Sequence, residues 1–76
     1  MMRLNLAVAH EVSAELERQE LMPRALTFWL HVSDKKARDL CDGNAAWTMI
    51  DLETVAEGMG VDLGEMVTRC VARLRV

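Results

Sequence analysis

Residues 26–43, LTFWLHVSDKKARDLCDG, contain the signals that decide the fold. Ser33 follows Val32 directly, and serine caps helix N-termini through its side-chain oxygen. Asp34 comes next, in a first turn where the helix dipole favours an acidic residue. Gly43 is the residue type that most often follows the end of a helix. The sequence therefore predicts a helix over DKKARDLC, bounded by Ser33 and Gly43.

A second, very apolar helix is predicted just before this one. Pro23 is unfavourable inside a helix but favoured in its first turn, so we expect a helix from Pro23 through Arg24 to about His31. A turn of only about three or four residues then makes the two helices cross steeply instead of lying antiparallel. The expected product is a helix-turn-helix formed by helices two and three, with its core at about residues 23–42.

Three further helices are predicted around this pair. The apolar periodicity of residues 4–21 predicts the first helix. The capping-box spacing of TMID at residues 48–51, with Gly60 as a stop, predicts the fourth over MIDLETVAEGM. DLGE at residues 62–65 begins the fifth, which extends over residues 62–75. The fifth helix has an apolar seam formed by Leu63, Met66, Val67, Cys70, Val71 and Leu74.

The composition limits both the fold and the class of protein. The 76 residues are 51% hydrophobic, 28% charged and 4% aromatic, which is too apolar for a disordered chain and too poor in β-forming residues for a β-sandwich. We therefore expect a single all-α domain over residues 1–76, a compact five-helix bundle. No apolar run reaches the roughly 20 residues of a membrane span, and MMRLNLAVAH lacks the features of a secretory signal. The expected location is the cytoplasm.

No residue pattern predicts catalysis or metal binding. His10 and His31 are far apart in the sequence, no serine or cysteine stands in a nucleophile motif, and no glycine-rich loop is available to cradle a phosphate. Cys41 and Cys70 lack the spacing of a zinc site and are predicted to be small buried hydrophobic residues. We expect a protein that is not an enzyme and that has no cofactor and no metal.

The same residues resemble a known family, the phage-repressor-like helix-turn-helix DNA-binding domains of the Cro and lambda-repressor type. The resemblance covers roughly residues 12–67. Its best-fitting part is Leu26-Thr27-x-x-Leu30-x-Val32-Ser33-x-x-x-Ala37-x-x-Leu40-x-x-Gly43, and residues 52–63 match the family's fourth and fifth helices in register. The resemblance implies a sequence-specific regulator of transcription, a small repressor that binds a palindromic operator in double-stranded DNA as a homodimer.

The turn and the start of helix two depart from the family's pattern. His31 stands where the family usually has a glycine in the turn, so we expect either a positive φ at some cost or a shifted turn. Met22 and Pro23 replace the polar cap and the glutamine at the start of helix two, which removes one usual phosphate contact. Arg24 is the candidate to replace that contact.

The candidate DNA-contacting residues lie mainly on helix three, because a helix that enters the major groove presents its N-terminal residues to the base edges. Lys35, Lys36 and Arg38 suit phosphates or guanine edges, whereas Asp34 and Asp39 repel phosphate unless they accept from cytosine or orient a lysine. A solvated charged face is the alternative. The full predicted set is Arg24, Ser33, Asp34, Lys35, Lys36, Arg38, Asp39 and Asn44.

Two groups of apolar residues exceed what a small core needs. Phe28 and Trp29 make helix two apolar almost all round, so either residues 4–8 cover them or they form a dimer or partner surface. The second group, the predicted dimer interface, comprises Trp47, Cys70, Val71 and Leu74. The alternative for the C-terminal tail is that it folds back onto Phe28 and Trp29 within one chain. We expect the cations at the end of the fifth helix to stabilise its C-terminus through the helix dipole more than to contact nucleic acid. They are Arg69, Arg73 and Arg75.

The net charge favours an alternative function. With 9 basic and 12 acidic residues the formal net charge is −3, which argues against a protein held to nucleic acid by electrostatics alone. The alternative is a protein-interaction module of the same fold, antitoxin-like or anti-repressor, with weak or no DNA reading. The acidic charge, Pro23 and the aromatic helix two favour it.

Overall fold

A computed structural model describes residues 3–75 of the chain. Within that range the chain forms five α-helices and no strand, which confirms the predicted compact all-α architecture. None of these helices combines the length and the apolar character that crossing a membrane requires. The helices are α1 (Arg3–Arg18), α2 (Ala25–Leu30), α3 (Asp34–Asp42), α4 (Met49–Met59) and α5 (Leu63–Arg73).

The boundaries of the last three helices follow the predicted caps. Ser33 and Asp62 each accept a hydrogen bond from the backbone N–H three residues further on, and Thr48 forms a reciprocal capping box with the third residue of α4. Gly43 and Gly60 end α3 and α4 with φ of 82° and 71°. These are left-handed conformations that glycine adopts without strain.

The first two helices are shorter than predicted. α1 ends at Arg18 and not near Leu21, because the chain turns through Glu20 with a φ of 58°. α2 does not include Pro23 or Arg24, which form a turn before it. It ends where His31 takes a left-handed conformation with φ 55° and ψ 48°. Of the two expected alternatives, a positive φ or a shifted turn, His31 therefore adopts the positive φ.

Every helix contributes at least one fully buried side chain to a single core. The largest of these side chains are Val12, Leu16, Leu26, Leu40, Val55, Met66 and Cys70. Cys41 and Cys70 are free and buried, as predicted, and burial raises the pKa of both thiols. The longest helix, α1, packs against α3 and α5, while α2 packs against α3 and α4 and α4 packs against α5.

An ionic network joins α1 to α5. Glu11 and Glu15 on α1 are only 4% and 8% exposed. Arg73 donates to Glu11 at 2.9 Å and Arg69 donates to Glu15 at 3.1 Å. Arg18 donates to both carboxylates, at 3.1 Å and 2.7 Å. Arg69 and Arg73 therefore do not act only on the dipole of their own helix, because they also hold α5 against α1.

The network sets the acid behaviour of Glu15. Hydrogen bonds from Arg18 and Gln19 hold the pKa of Glu15 below its ordinary value, against the opposite effect of its burial. Because this pKa is lower in the folded chain than in the unfolded chain, the ionised carboxylate stabilises the fold above the unfolded-state pKa. The contribution is lost as the pH falls through the folded-state pKa.

We expect Glu15→Gln to lower the free energy of unfolding at neutral pH by about 1–2 kcal/mol, because a charge-assisted network loses its acceptor while its arginines stay partly solvated. Thermal unfolding followed by circular dichroism measures this. The variant should also lose less stability than the wild type as the pH falls through the lowered pKa of Glu15, because it has no carboxylate to protonate there. Glu17→Gln, at an exposed position of the same helix, is the control and should change stability little. Equal effects of the two substitutions would contradict the structural role of the network.

We expect His31→Gly to raise the free energy of unfolding by about 0.5–1 kcal/mol. Glycine removes the strain of the left-handed conformation, and the greater conformational entropy of the unfolded glycine chain offsets part of this stabilisation. His31 is exposed, so its side chain contributes little packing. His31→Ala keeps a Cβ and therefore the strain, which makes it the matched control. The interpretation fails if the glycine variant is no more stable than the alanine variant in the same unfolding measurement.

Candidate nucleic-acid interface

One face of α3 is buried and the opposite face is in solvent. Ala37, Leu40 and Cys41 follow the three- and four-residue spacing of a helix face and lie in the core. Lys35, Lys36 and Arg38 fall on the remaining surface of the helix and are exposed. No other helix covers these three cations, so the amphipathic pattern of α3 produces an open basic surface.

The acidic residues of α3 partly neutralise this basic surface. Lys35 forms an ion pair with Asp39 at 2.9 Å, one helical turn away. Arg24 lies 4.0 Å from Asp34, which joins the turn before α2 to the first turn of α3. Pairs as exposed as these are worth little, about 0–1 kcal/mol, so a phosphate can replace the carboxylate partner at small cost.

Lys36 and Arg38 are the free cations of the surface. Within residues 3–75 no carboxylate lies within ion-pair distance of either side chain. Arg38 also shares a shallow pocket with Arg24, lined in addition by Met22, Pro23 and Asp34. The structure therefore brings the predicted phosphate-contacting residue on the α2 side next to the predicted contacts on α3.

Two other predicted contacts are placed differently. The Ser33 side-chain oxygen accepts the cap hydrogen bond from the Lys36 N–H at 3.1 Å, and its hydroxyl still has a proton to donate. Asn44 lies beyond Gly43, at the C-terminal end of α3. This end is about 14 Å from the N-terminal end that Ser33 caps. It lines an apolar groove with Trp47 instead of joining the basic surface.

The predicted dimer interface is wrong at Cys70. This residue is 2% exposed and belongs to the core of the single chain. The physical reason is that α5 packs against α1, so the core of one chain already covers this side chain. Trp47 is half-buried, and its indole N–H donates to the Leu40 carbonyl at 2.9 Å. Val71 is 39% exposed and Leu74 is half-buried, so Val71 is the most accessible of the four.

The two aromatic residues of α2 differ in how far they are buried. Trp29 lies against Gly58 of α4, where a Cβ would overlap the indole ring. Phe28 is 76% exposed. Residues 4–8 do not cover it, because Asn5 is held over the connection between α3 and α4 by hydrogen bonds with Ala45 and Trp47. The C-terminal tail does not cover it either, since α5 packs against α1 and α4.

No group of three His, Cys, Asp or Glu side chains within residues 3–75 is arranged to hold a metal ion. The surface of α3 described above carries cations and hydrogen-bond donors. Such a surface can bind phosphates and the acceptor edges of bases.

Comparisons of the chain with protein-family models, with curated proteins and with solved structures found no match.

Proposed function

We propose that the protein is a sequence-specific DNA-binding regulator of transcription that uses α3 as its recognition helix. The observation that supports the proposal most is the open face of α3, on which Lys36 and Arg38 are exposed with no carboxylate partner in the described part of the chain. The short connection His31–Ser33 between α2 and α3 suits a helix-turn-helix. For such a repressor of the phage type, the proposed location is the cytoplasm.

The proposed binding mode assigns different tasks to the two free cations and to Arg24. Lys36 and Arg38 donate to guanine edges or to phosphates of the major groove. Arg24 leaves Asp34 and contacts the adjacent phosphate, which positions the helix without reading sequence. Asp39 orients Lys35, since the two side chains are already joined. A bound dimer would then repress transcription by blocking access to a promoter.

The proposed assembly is a homodimer on a palindromic operator. A single α3 reads only a few base pairs, whereas two copies related by a two-fold axis read half-sites about 34 Å apart. The outer side of α5 is the proposed contact, because Val71 is exposed there beside Val67 and Ala72 in a shallow apolar pocket. Leu74, which follows α5, lines a separate pocket with Leu6 and Ala7 of α1. Cys70 takes no part in the contact.

A second candidate function is supported by Phe28. An aromatic ring that is 76% exposed in a chain of this size favours a surface for a protein partner. In this alternative the protein keeps the fold, reads DNA weakly or not at all, and acts as an antitoxin-like or anti-repressor module. Half-buried Trp29, the next residue of α2, would contribute its exposed part to the same contact.

We expect the double variant Lys36→Ala/Arg38→Ala to lose specific DNA binding while its helical circular dichroism stays unchanged. Each lost guanine contact costs about 1–3 kcal/mol, and each lost phosphate contact lowers the salt slope of binding by roughly one. The DNA is obtained by selection from a random-sequence library with the wild-type protein, and affinity is measured by gel shift at several salt concentrations. Arg3→Ala, which removes an exposed cation of α1, is the control. If the library yields no preferred sequence, or if the double variant binds as the wild type does, the DNA-binding proposal is wrong.

We expect the protein to sediment as a dimer at micromolar concentration and Val71→Asp to convert it into a folded monomer with weaker operator binding. The carboxylate would be desolvated at the subunit contact, whereas in the monomer it stays in water. Phe28→Asp places the same charge on the other exposed apolar surface and should leave the dimer intact. Analytical ultracentrifugation of the three proteins decides between the two surfaces. A wild-type monomer that binds one copy per operator would refute the proposed assembly.

A further inference from the structure

An apolar groove of about 480 Å³ lies away from the basic surface, between the start of α1, the connection from α3 to α4, and the start of α4. Its walls are held in place by hydrogen bonds within the chain. The Asn5 amide donates to the Ala45 carbonyl at 3.0 Å, and its oxygen accepts from the Trp47 backbone N–H at 2.6 Å. The apolar lining is formed by Leu4, Val8, Ala45, Trp47, Met49 and Leu52.

Large apolar side chains stand at the rim of this groove. Leu4 is 47% exposed and Met49 is 63% exposed. The polar atoms of Asn5 and of the Trp47 indole already have partners within the chain. The groove therefore offers apolar contact area with few free hydrogen-bonding groups, in the size range of about 300–1,000 Å³ that is typical of binding pockets.

The charged residues that adjoin the groove lining in α3 and α4 are acidic. Residues 40–68 contain six acidic residues and no lysine or arginine. Asp42 precedes the groove residue Gly43, and it stands at the C-terminal end of α3, where the helix dipole is also negative. Glu53 lies one helical turn after Met49 and so shares its face of α4. The Arg3 guanidinium lies on the α5 side of α1 and not in the groove, where it donates to the Leu74 carbonyl at 3.1 Å.

We propose that this groove binds an amphipathic helix of a partner protein whose apolar side is flanked by lysine or arginine. The apolar side fills the groove with residues spaced three and four apart, and the flanking cations face Asp42 and Glu53. DNA is repelled by the same carboxylates. A second copy of this chain would bring the same acidic residues against them, and like charges facing each other oppose association.

The proposal does not depend on DNA binding. Lys36 and Arg38 do not line the groove. Gly43, which lines it, lies at the C-terminal end of α3, opposite to the end that Ser33 caps. A regulator could therefore bind its partner through one end of α3 and DNA through the other. A protein that does not bind DNA could use the groove alone.

The experiment titrates the full chain with a designed helical peptide of leucine and lysine, in which leucines form one face. A second peptide of the same pattern has glutamate in place of every lysine. Binding is measured by fluorescence anisotropy of the labelled peptides and by the indole N–H signals of the two tryptophans in ¹⁵N-labelled protein. We expect the lysine peptide to bind at least tenfold more tightly than the glutamate peptide, less tightly at high salt, and to shift the Trp47 signal more than the Trp29 signal.

Matched variants locate the binding site. Met49→Lys adds a cation at the groove and should weaken the lysine peptide at least tenfold, while Phe28→Lys adds the same charge at an exposed residue elsewhere and should change it less than twofold. Asp42→Asn/Glu53→Gln removes two charges without touching the apolar lining and should reduce the salt dependence. All four residues are exposed, so circular dichroism of the three variants should stay that of the wild type.

Several results would overturn the proposal. The first is no binding of the lysine peptide, and the second is equal binding of the two peptides, which would mean that any apolar helix is accepted. Equal weakening by Met49→Lys and Phe28→Lys would mean that the peptide does not use this groove. A wild-type dimer that Met49→Lys dissociates would assign the groove to a second copy of the chain. Loss of DNA binding in Lys36→Ala/Arg38→Ala bears on the proposed function alone, since that variant should still bind the peptide.

Discussion

The packing of α1 against α5 across two buried carboxylates is the interaction on which the rest of the structure depends. Glu11 and Glu15 lie beside Val12 and Leu16, which are 0% and 2% exposed. Burying a carboxylate is costly unless charged partners and hydrogen bonds satisfy it. Arginines from both helices supply these partners, so α5 is held in the one register that brings Arg69 and Arg73 to the carboxylates. An apolar contact alone would tolerate several registers.

The parts of the fold that were predictable are those decided by neighbouring residues. Ser33, Thr48 and Asp62 cap helices through contacts three residues along the chain, and Gly43 and Gly60 end them through their own backbone conformation. Sequence patterns record such local chemistry directly. The burial of Glu15 depends instead on Arg69, 54 residues away, and no periodicity of α1 contains that information. The error at Cys70 has the same origin, because the apolar seam of α5 does not reveal which other helix covers it.

The candidate site likewise has features that neighbouring residues decide and features that depend on how distant segments pack. The exposed cations of α3 were predictable, because residues spaced around one helix determine which side is buried. The pairing of Lys35 with Asp39 follows from their four-residue spacing. The proximity of Arg24 to Arg38 depends on how α2 and α3 meet. The apolar groove was not predicted, since its walls come from three segments, and the only sequence signal for it was the absence of cations between residues 40 and 68.

The ionic network also changes what the net charge means for the surface. Arg18, Arg69 and Arg73 are bound to Glu11 and Glu15, so these three of the nine basic residues contribute little to the potential around the molecule. The remaining charges are separated, with Lys36 and Arg38 on the open face of α3 and the unbroken acidic segment beyond its end. The net charge of −3 therefore does not give the local charge of the α3 face or of the acidic segment. At distances shorter than the Debye length of about 10 Å a ligand responds to the local charges, so one small acidic chain can present separate surfaces to an anionic and to a cationic partner.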